Sequence, residues 1–207
     1  HHQIVEKEFK IYNNSDSVMT FLMGSSRIPD FIQLKIIPNI LPPKSIGTLL
    51  LNYDPVHRAD LGFFRDGLDI MTTDVEMPLK RISVVATIEE YFEAGPSSRV
   101  DSVNYPKLDL SDENIDFGKI LANQPKFHNL SLYNRGIDVL NIRTIKSNCG
   151  CVDWDLKDEN IPGGDSTVLM IKLDPLNRKG RQFKNITLFT NDPSNSTRVI
   201  SLKALIP

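Results

Sequence analysis

The sequence predicts an all-β protein made of two tandem immunoglobulin-like β-sandwich domains, the first of which lacks its N-terminal strand. Three observations lead to this prediction: an internal repeat, an alternation of apolar and polar residues with period two, and turn residues between the alternating runs. The predicted domains cover residues 1–90 and 108–207, and residues 91–107 are predicted to form a polar linker broken by Pro and Gly.

The repeat is visible at both ends of each domain. Ile11-Tyr12-Asn13 is echoed by Leu132-Tyr133-Asn134, 121 positions later. The last predicted strands also match, at an offset of 118: Ile82, Val84, Ala86 and Ile88 stand opposite Ile200, Leu202, Ala204 and Ile206. Between these ends, further matches keep the same order: Asn39-Ile40 with Asn160-Ile161, Leu49 with Leu169, Asp54-Pro55 with Asp174-Pro175, Gly62 with Gly180, and Thr72-Thr73-Asp74 with Thr190-Asn191-Asp192. Small length changes in loops explain the drift of the offset.

One segment of the second copy has no counterpart in the first. Gln3 already lies opposite Gln124, whereas Asn114–Ile120 precedes that point and alternates in its apolar residues Ile115 and Phe117. This alternation is typical of a half-buried strand. We therefore expect that an N-terminal strand of the first domain has been processed off, was not included or is not seen. The alternative is a natural domain with one strand fewer.

The strands themselves are predicted from the alternation in the second copy. They are Phe127–Tyr133, Val139–Ile145, Thr167–Leu173, Asn185–Thr190 and Arg198–Ile206, in addition to Asn114–Ile120. Turn residues separate them, and no segment shows the apolar spacing of a long amphipathic helix. The Cys…Trp…Cys spacing of antibody domains is missing, so the prediction concerns architecture only.

Composition narrows the classes of function. With 24 basic and 26 acidic residues the formal charge is −2, which does not supply the basic face that nucleic-acid binding needs. No apolar run is long enough to span a bilayer, and the first ten residues contain no apolar signal-peptide core. The two cysteines stand one residue apart and cannot staple a long loop.

Cys149-Gly150-Cys151 is the one arrangement with obvious chemistry. A disulfide across one residue would close a small ring and could be redox-active. Two thiolates could instead hold a soft metal ion such as Cu(I), with further ligands from elsewhere. A third interpretation is a tight structural turn, in which Ser147 and Asn148 support the loop and Gly150 supplies backbone freedom. The identity of any metal is not specified by the sequence.

The second copy resembles a bacterial family of unknown function that is common in Gram-negative gut bacteria. The resemblance rests on five elements: Asp116-Phe117-Gly118, Asn134-Arg135-Gly136, the Ser-x-Cys-Gly-Cys turn at 147–151, Pro162-Gly163, and Thr190-Asn191-Asp192. It covers residues 108–207 well and the first copy more loosely, since Ser26-Arg27-Ile28-Pro29-Asp30 stands where the cysteine turn stands. The resemblance implies a fold similar to the pilus-chaperone and sperm-protein type of Ig-like domain, and it comes with no known reaction. It also implies export to the periplasm, the outer membrane or the exterior, with a candidate lipid anchor ahead of His1.

These observations predict a non-enzymatic interaction or adhesion module of the cell envelope, with a protein partner and no cofactor. The alternative is a thiol-redox or soft-metal protein that uses Cys149 and Cys151. A third hypothesis, a ciliary or cytoskeletal Ig-like module of the eukaryotic type, is disfavoured by the cysteine turn. The sequence motifs of common hydrolases, nucleotide-binding enzymes and zinc proteases are missing. The identity of the partner and the oligomeric state are not specified by the sequence.

Overall fold

The structure is a computed structural model that describes residues 3–92 and 105–207. Its chain divides into two compact units, His1–Ile88 and Glu89–Pro207. The predicted linker, residues 91–107, lies for the most part outside the described residues, since 93–104 are not among them.

The first unit consists of short and long strands with one turn of helix. Its elements are β1 (Val5–Tyr12), β2 (Met19–Thr20), β3 (Ile32–Ile37), β4 (Ile40–Leu41), β5 (Ile46–Tyr53), α1 (Pro55–Arg58), β6 (Gly62–Met71) and β7 (Leu79–Ile88). One sheet has the order β1-β5-β3. On the other side, the pairs β2-β4 and β6-β7 are connected by isolated bridges, Phe21 to Thr72 and Arg27 to Asp69.

The second unit is a complete two-sheet sandwich. Its strands are β8 (Leu108–Leu110), β9 (Asn114–Lys119), β10 (Lys126–Asn134), β11 (Leu140–Ser147), β12 (Val152–Leu156), β13 (Asn160–Ile161), β14 (Ser166–Leu173), β15 (Gly180–Thr190) and β16 (Thr197–Ile206). The sheet orders are β12-β14-β10-β8 and β13-β11-β15-β16-β9. Inward-facing apolar residues of both sheets form one buried core, as in an immunoglobulin-like sandwich. The six strands predicted in this copy are confirmed, with ends that differ by a few residues.

A buried asparagine stabilises the equivalent turn in both units through hydrogen bonds. Asn13 donates from Nδ2 to the carbonyls of Ser17 (2.8 Å) and Leu41 (3.0 Å). Asn134 donates in the same way to Asp138 (2.7 Å) and Ile161 (2.9 Å). Both asparagines are almost completely buried, so their hydrogen bonds are sheltered from water. The repeated Tyr-Asn pair therefore marks a repeated turn as well as a repeated strand.

The match of Asn39-Ile40 with Asn160-Ile161 is wrong by one residue. Leu140 pairs with Ile161 in the second unit, and its counterpart Met19 pairs with Leu41 in the first. Leu41 and Ile161 are both buried, whereas Ile40 is exposed. Burial on one face of the strand decides the register, because a shift by one residue turns every side chain to the other face.

A comparison of the two units shows which strands of the second unit have no counterpart in the described residues of the first. In the second unit β9 runs parallel to β16, and β8 pairs with β10. Among residues 3–92 no strand pairs with the corresponding outer edge of β7 or with the corresponding edge of β1. The first unit therefore has two open strand edges where the second has two filled ones.

Candidate functional site

The cysteine turn connects β11 to β12 at one end of the second sandwich. The two sulfurs are joined in a disulfide, which closes a ring around Gly150. Cys151 is buried and packs against the core, Cys149 is half-buried, and Gly150 is exposed. The bond thus lies between the apolar interior and the protein surface.

The residues around the disulfide hold the turn by hydrogen bonds. The Ser147 hydroxyl lies 3.2 Å from both the amide nitrogen and the carbonyl oxygen of Cys149. Asn148 exchanges two bonds with Asn185 of β15: its amide donates to the Asn185 carbonyl (3.2 Å), and its Oδ1 accepts from the Asn185 amide (3.0 Å). Ser147 and Asn148 thus lie where the supporting role was predicted.

Gly150 differs from the expectation that it supplies special backbone freedom. It is not among the residues with positive φ, and a Cβ built on it meets no atom within 4 Å. Neither the conformation nor the space at this position requires glycine. The predicted role of Gly150 is therefore wrong in the disulfide-bonded turn.

Chemically, the turn can undergo thiol–disulfide exchange. A dithiol donor would supply two electrons and two protons, so that the S–S bond opens into two thiols while the donor becomes a disulfide. Metal binding would first require this reduction, since thiolates are the metal ligands. In the described part of the chain, no group of three or more His, Cys, Asp or Glu side chains is arranged to hold a metal ion.

A second candidate site is an apolar groove of about 240 Å³ at the open edge of β7. Sequence reasoning predicted the missing strand but not this groove. It is lined mainly by the C-terminal half of β7 together with residues of β1, β5 and α1: Val5, Lys7, Leu51, Tyr53, Pro55 and Val84–Ile88. All these residues belong to the first unit.

The groove coincides with the place that β9 occupies in the second unit. Ser201, Leu202, Lys203 and Leu205 of β16 are the residues that pair with β9. At the offset of 118 their counterparts are Ser83, Val84, Val85 and Thr87, and three of these four line the groove.

Core positions near this edge are more exposed in the first unit than in the second. Leu130 of β10 is 0% exposed, whereas its counterpart Phe9 of β1 is 50% exposed. Ile200 and Leu202 of β16 are buried, whereas their counterparts Ile82 and Val84 are half-buried. Part of the apolar interior of the first unit is therefore open to solvent at this edge.

The place equivalent to β8 is also a groove in the first unit, with Tyr12, Ser15, Asp74 and Lys80 among its lining residues, but the polar contacts there differ. In the second unit Leu108 is held at both backbone groups: its amide donates to Asp192 Oδ2 (2.9 Å), and its carbonyl accepts from Arg198 Nη1 (3.0 Å). The counterparts of these two side chains, Asp74 and Lys80, bind each other instead. The hydrogen bond from Lys80 holds the pKa of the Asp74 carboxyl below its usual value.

A polar cluster lies beside the groove. Tyr53 donates its hydroxyl to Asp66 Oδ2 (3.1 Å), and Arg58 Nη1 lies 2.9 Å from Asp66 Oδ1. The Arg58 guanidinium stacks on Phe31 and Phe64, with its carbon 4.7 and 3.7 Å from the ring centres. Burial of Tyr53, followed by the negative charge of Asp66, raises the pKa of the phenol to about 12.

His128 and His57, the histidines of the described residues, make contacts within their own units. His128 lies on β10 and packs edge-on against Phe117 of β9, with ring centres 6.3 Å apart. His57 Nε2 lies 3.3 Å from Asp30 in the first unit.

The fold is nearly all-β, and the second unit has the two-sheet topology of an immunoglobulin-like β-sandwich. Residues 108–206 match the family described as "Protein of unknown function (DUF1573)". This match confirms the resemblance drawn from the motifs of the second unit. No curated protein matches the chain.

Two solved structures with similar folds differ in how closely they match this chain. A protein of unknown function from Porphyromonas gingivalis W83 is similar with a TM-score of 0.66 and 18% identity, covering 97% of this chain and 91% of that one. The ASH/PapD-like domain of human CEP192 is similar with a TM-score of 0.39 and 11% identity, covering 59% of this chain and 98% of that domain. The first likeness shows the fold across both units, and the second is too weak to carry an argument. In the described residues no helix has the length and apolar character to cross a membrane.

Proposed function

We propose that this chain is a non-enzymatic interaction module of the Gram-negative cell envelope, and that it binds another protein through the first unit. The observation that carries the proposal is the open, apolar edge of β7. An unpaired strand edge presents backbone donors and acceptors to any extended chain, and natural proteins usually cover or charge such edges. Here Val85 stands 53% exposed on that edge, where the second unit has Lys203.

Site-specific photo-crosslinking tests this function. A photoreactive phenylalanine at position 85 should give a discrete crosslinked protein in envelope fractions of Gram-negative cells that make this chain. The same group at Phe63, an exposed residue of β6 outside the groove, serves as the matched control and should give none. The proposal would be contradicted if no crosslinked protein formed from position 85 and none formed from the other exposed positions tested on either unit.

The envelope location is a part of the proposal that fractionation tests separately. Recovery of the chain from the periplasm, the outer membrane or the medium is the expected result. Recovery from the cytoplasm alone would contradict it, and it would also remove the oxidising surroundings in which the Cys149–Cys151 disulfide persists.

A second candidate function, thiol–disulfide exchange, is favoured by the position of the disulfide between the core and the surface, with Cys149 half-buried and Gly150 exposed. Incubation with a dithiol at graded potentials, followed by thiol alkylation and mass measurement, tests it. Reversible opening of the disulfide while the fold persists would support a redox role. If the disulfide opens only when the second unit unfolds, its role is structural and a redox function is contradicted.

A further inference from the structure

We infer that the groove along β7 binds one short strand of a partner polypeptide, parallel to β7, with apolar side chains at its first, third and sixth positions. This inference rests on the proposed function and specifies the ligand. The structure itself supplies the template, because β9 occupies the equivalent place in the second unit. There the inward-facing residues are Ile115, Phe117 and Ile120, and all three are buried.

Direction and hydrogen bonding follow from the same template. The amide of Ser201 in β16 donates to the carbonyl of Glu113 (2.8 Å), and the amide of Ile120 donates to the carbonyl of Leu205 (2.9 Å). The corresponding groups in the first unit are the Ser83 amide and the Thr87 carbonyl. A strand between them would therefore run parallel to β7 and span about six to eight residues.

The bound strand is short because the neighbouring place, equivalent to β8, is lined mainly by polar residues and lacks the contacts that hold β8. In the second unit Gly136 lets the chain pass so closely that a Cβ there would lie 1.8 Å from the Tyr105 carbonyl oxygen. The first unit has Ser15 at this position, and its hydroxyl donates to Asn13 Oδ1 (2.8 Å). The first unit thus has Ser15 and the Asp74–Lys80 pair in place of the groups that hold β8 and its approach in the second unit. In the described residues, the apolar groove is confined to the part equivalent to β9.

The rim of the groove differs from the rim around β9 and so defines a preference. In the second unit Asp116 lies 3.3 Å from Lys203, and Lys126 donates to the Phe117 carbonyl (2.7 Å). The first unit has Val85 and Val5 in place of these two lysines. An apolar residue in the partner strand therefore fits better at the position where β9 carries the exposed Asp116, because it would lie beside Val85 and cover its exposed apolar side chain.

A synthetic peptide with the sequence of residues 113–121 is the probe for this inference, and fluorescence anisotropy on the whole chain is the readout. Saturable one-to-one binding is expected, with at least tenfold tighter binding of the peptide carrying Asp116→Val. A peptide carrying both Ile115→Asp and Phe117→Asp should not bind. In the protein, Ala86→Glu places a charge on the groove floor and should weaken binding at least tenfold, whereas Phe63→Glu should leave it unchanged.

Several results would overturn the inference. The first two are an absence of saturable peptide binding and peptide binding that Ala86→Glu leaves unchanged. The third is the formation of concentration-dependent dimers in sedimentation that disappear with Ala86→Glu, which would assign the groove to a second copy of the chain. Loss of peptide binding in a form of the chain with additional residues ahead of His1 would show that the groove is filled by a strand of the same polypeptide. If the peptide fails while position 85 still crosslinks to a protein, the interaction function stands and this ligand assignment falls. Circular dichroism of Ala86→Glu establishes that the fold persists.

Discussion

At the scale of single residues, the repeated buried asparagine is the feature that most clearly connects sequence to stability. Asn134 satisfies two carbonyls with its amide and accepts the Gly136 amide (3.0 Å) with its oxygen. The sequence repeat identified the position, but not the role of the side chain, since a polar residue at a strand end is ordinarily exposed.

We expect Asn134→Ala to destabilise the second unit by about 2–3 kcal/mol, because buried carbonyl and amide groups lose their partners. Urea unfolding followed by the fluorescence of Trp154 measures the change. Asn129→Ala, at an exposed position of the same strand, is the control and should stay within about 0.5 kcal/mol. Equal effects of the two substitutions would contradict the assigned role.

Tyr53 provides a pH-dependent test in the first unit. Its pKa is raised from 10.0 to about 12, so the folded state favours the neutral phenol. The stabilisation is complete below the unfolded pKa near 10 and is lost as the pH rises through about 12. Absorbance titration at alkaline pH should show one late-ionising tyrosine that Tyr53→Phe removes. If all five tyrosines ionise together near pH 10, the Tyr53–Asp66 contact is not formed as described.

At the scale of elements, close approach of chain segments decides which glycines are required. A Cβ on Gly136 would lie 1.8 Å from the Tyr105 carbonyl oxygen, whereas one on Gly150 meets nothing within 4 Å. Gly136→Ala must therefore displace the segment that leads into β8, and Gly150→Ala need not displace anything.

We expect Gly136→Ala to cost about 2–4 kcal/mol through this steric conflict, and Gly150→Ala to change stability by less than about 0.5 kcal/mol. Denaturant unfolding of the two variants under identical conditions provides the comparison. A large loss of stability in Gly150→Ala would contradict this expectation, because it would show that the cysteine turn requires glycine.

Long strands could be predicted from the sequence and short ones could not. β10 and β16 span nine and ten residues with alternating core residues such as Leu130, Leu132, Ile200 and Leu202, so their inward faces could be predicted. β13 has two residues and β8 has three, too few for a period to be recognised. The cysteine turn was identified as a candidate with its bonding left open. The groove escaped prediction because its walls come from three strands that are distant in sequence.

At the scale of the whole molecule, the two units have the same plan but unequal cores. Buried positions of the second unit, such as Leu130, correspond to half-exposed ones in the first, such as Phe9. Since each Å² of apolar surface left in water forgoes roughly 25 cal/mol, the first unit should be the less stable.

We therefore expect unfolding in two steps. Trp154, the only tryptophan, reports on the second unit alone, whereas far-ultraviolet circular dichroism reports on both. The dichroism signal should begin to change at a lower guanidinium concentration than the tryptophan fluorescence. Coincident transitions would mean that the units unfold together, against the inequality of their cores.

The central claim, that β7 offers an open strand edge, is tested most directly by amide hydrogen exchange resolved by residue. Amides of Ser83, Val85 and Thr87 should exchange rapidly, while those of Val84 and Ala86, which face β6, should be protected. In β16 the amides of Ser201, Lys203 and Leu205 should be protected as well, because β9 covers that edge. Protection of Ser83, Val85 and Thr87 equal to that of Val84 and Ala86 in the free chain would show that the edge is already covered, and would contradict the account.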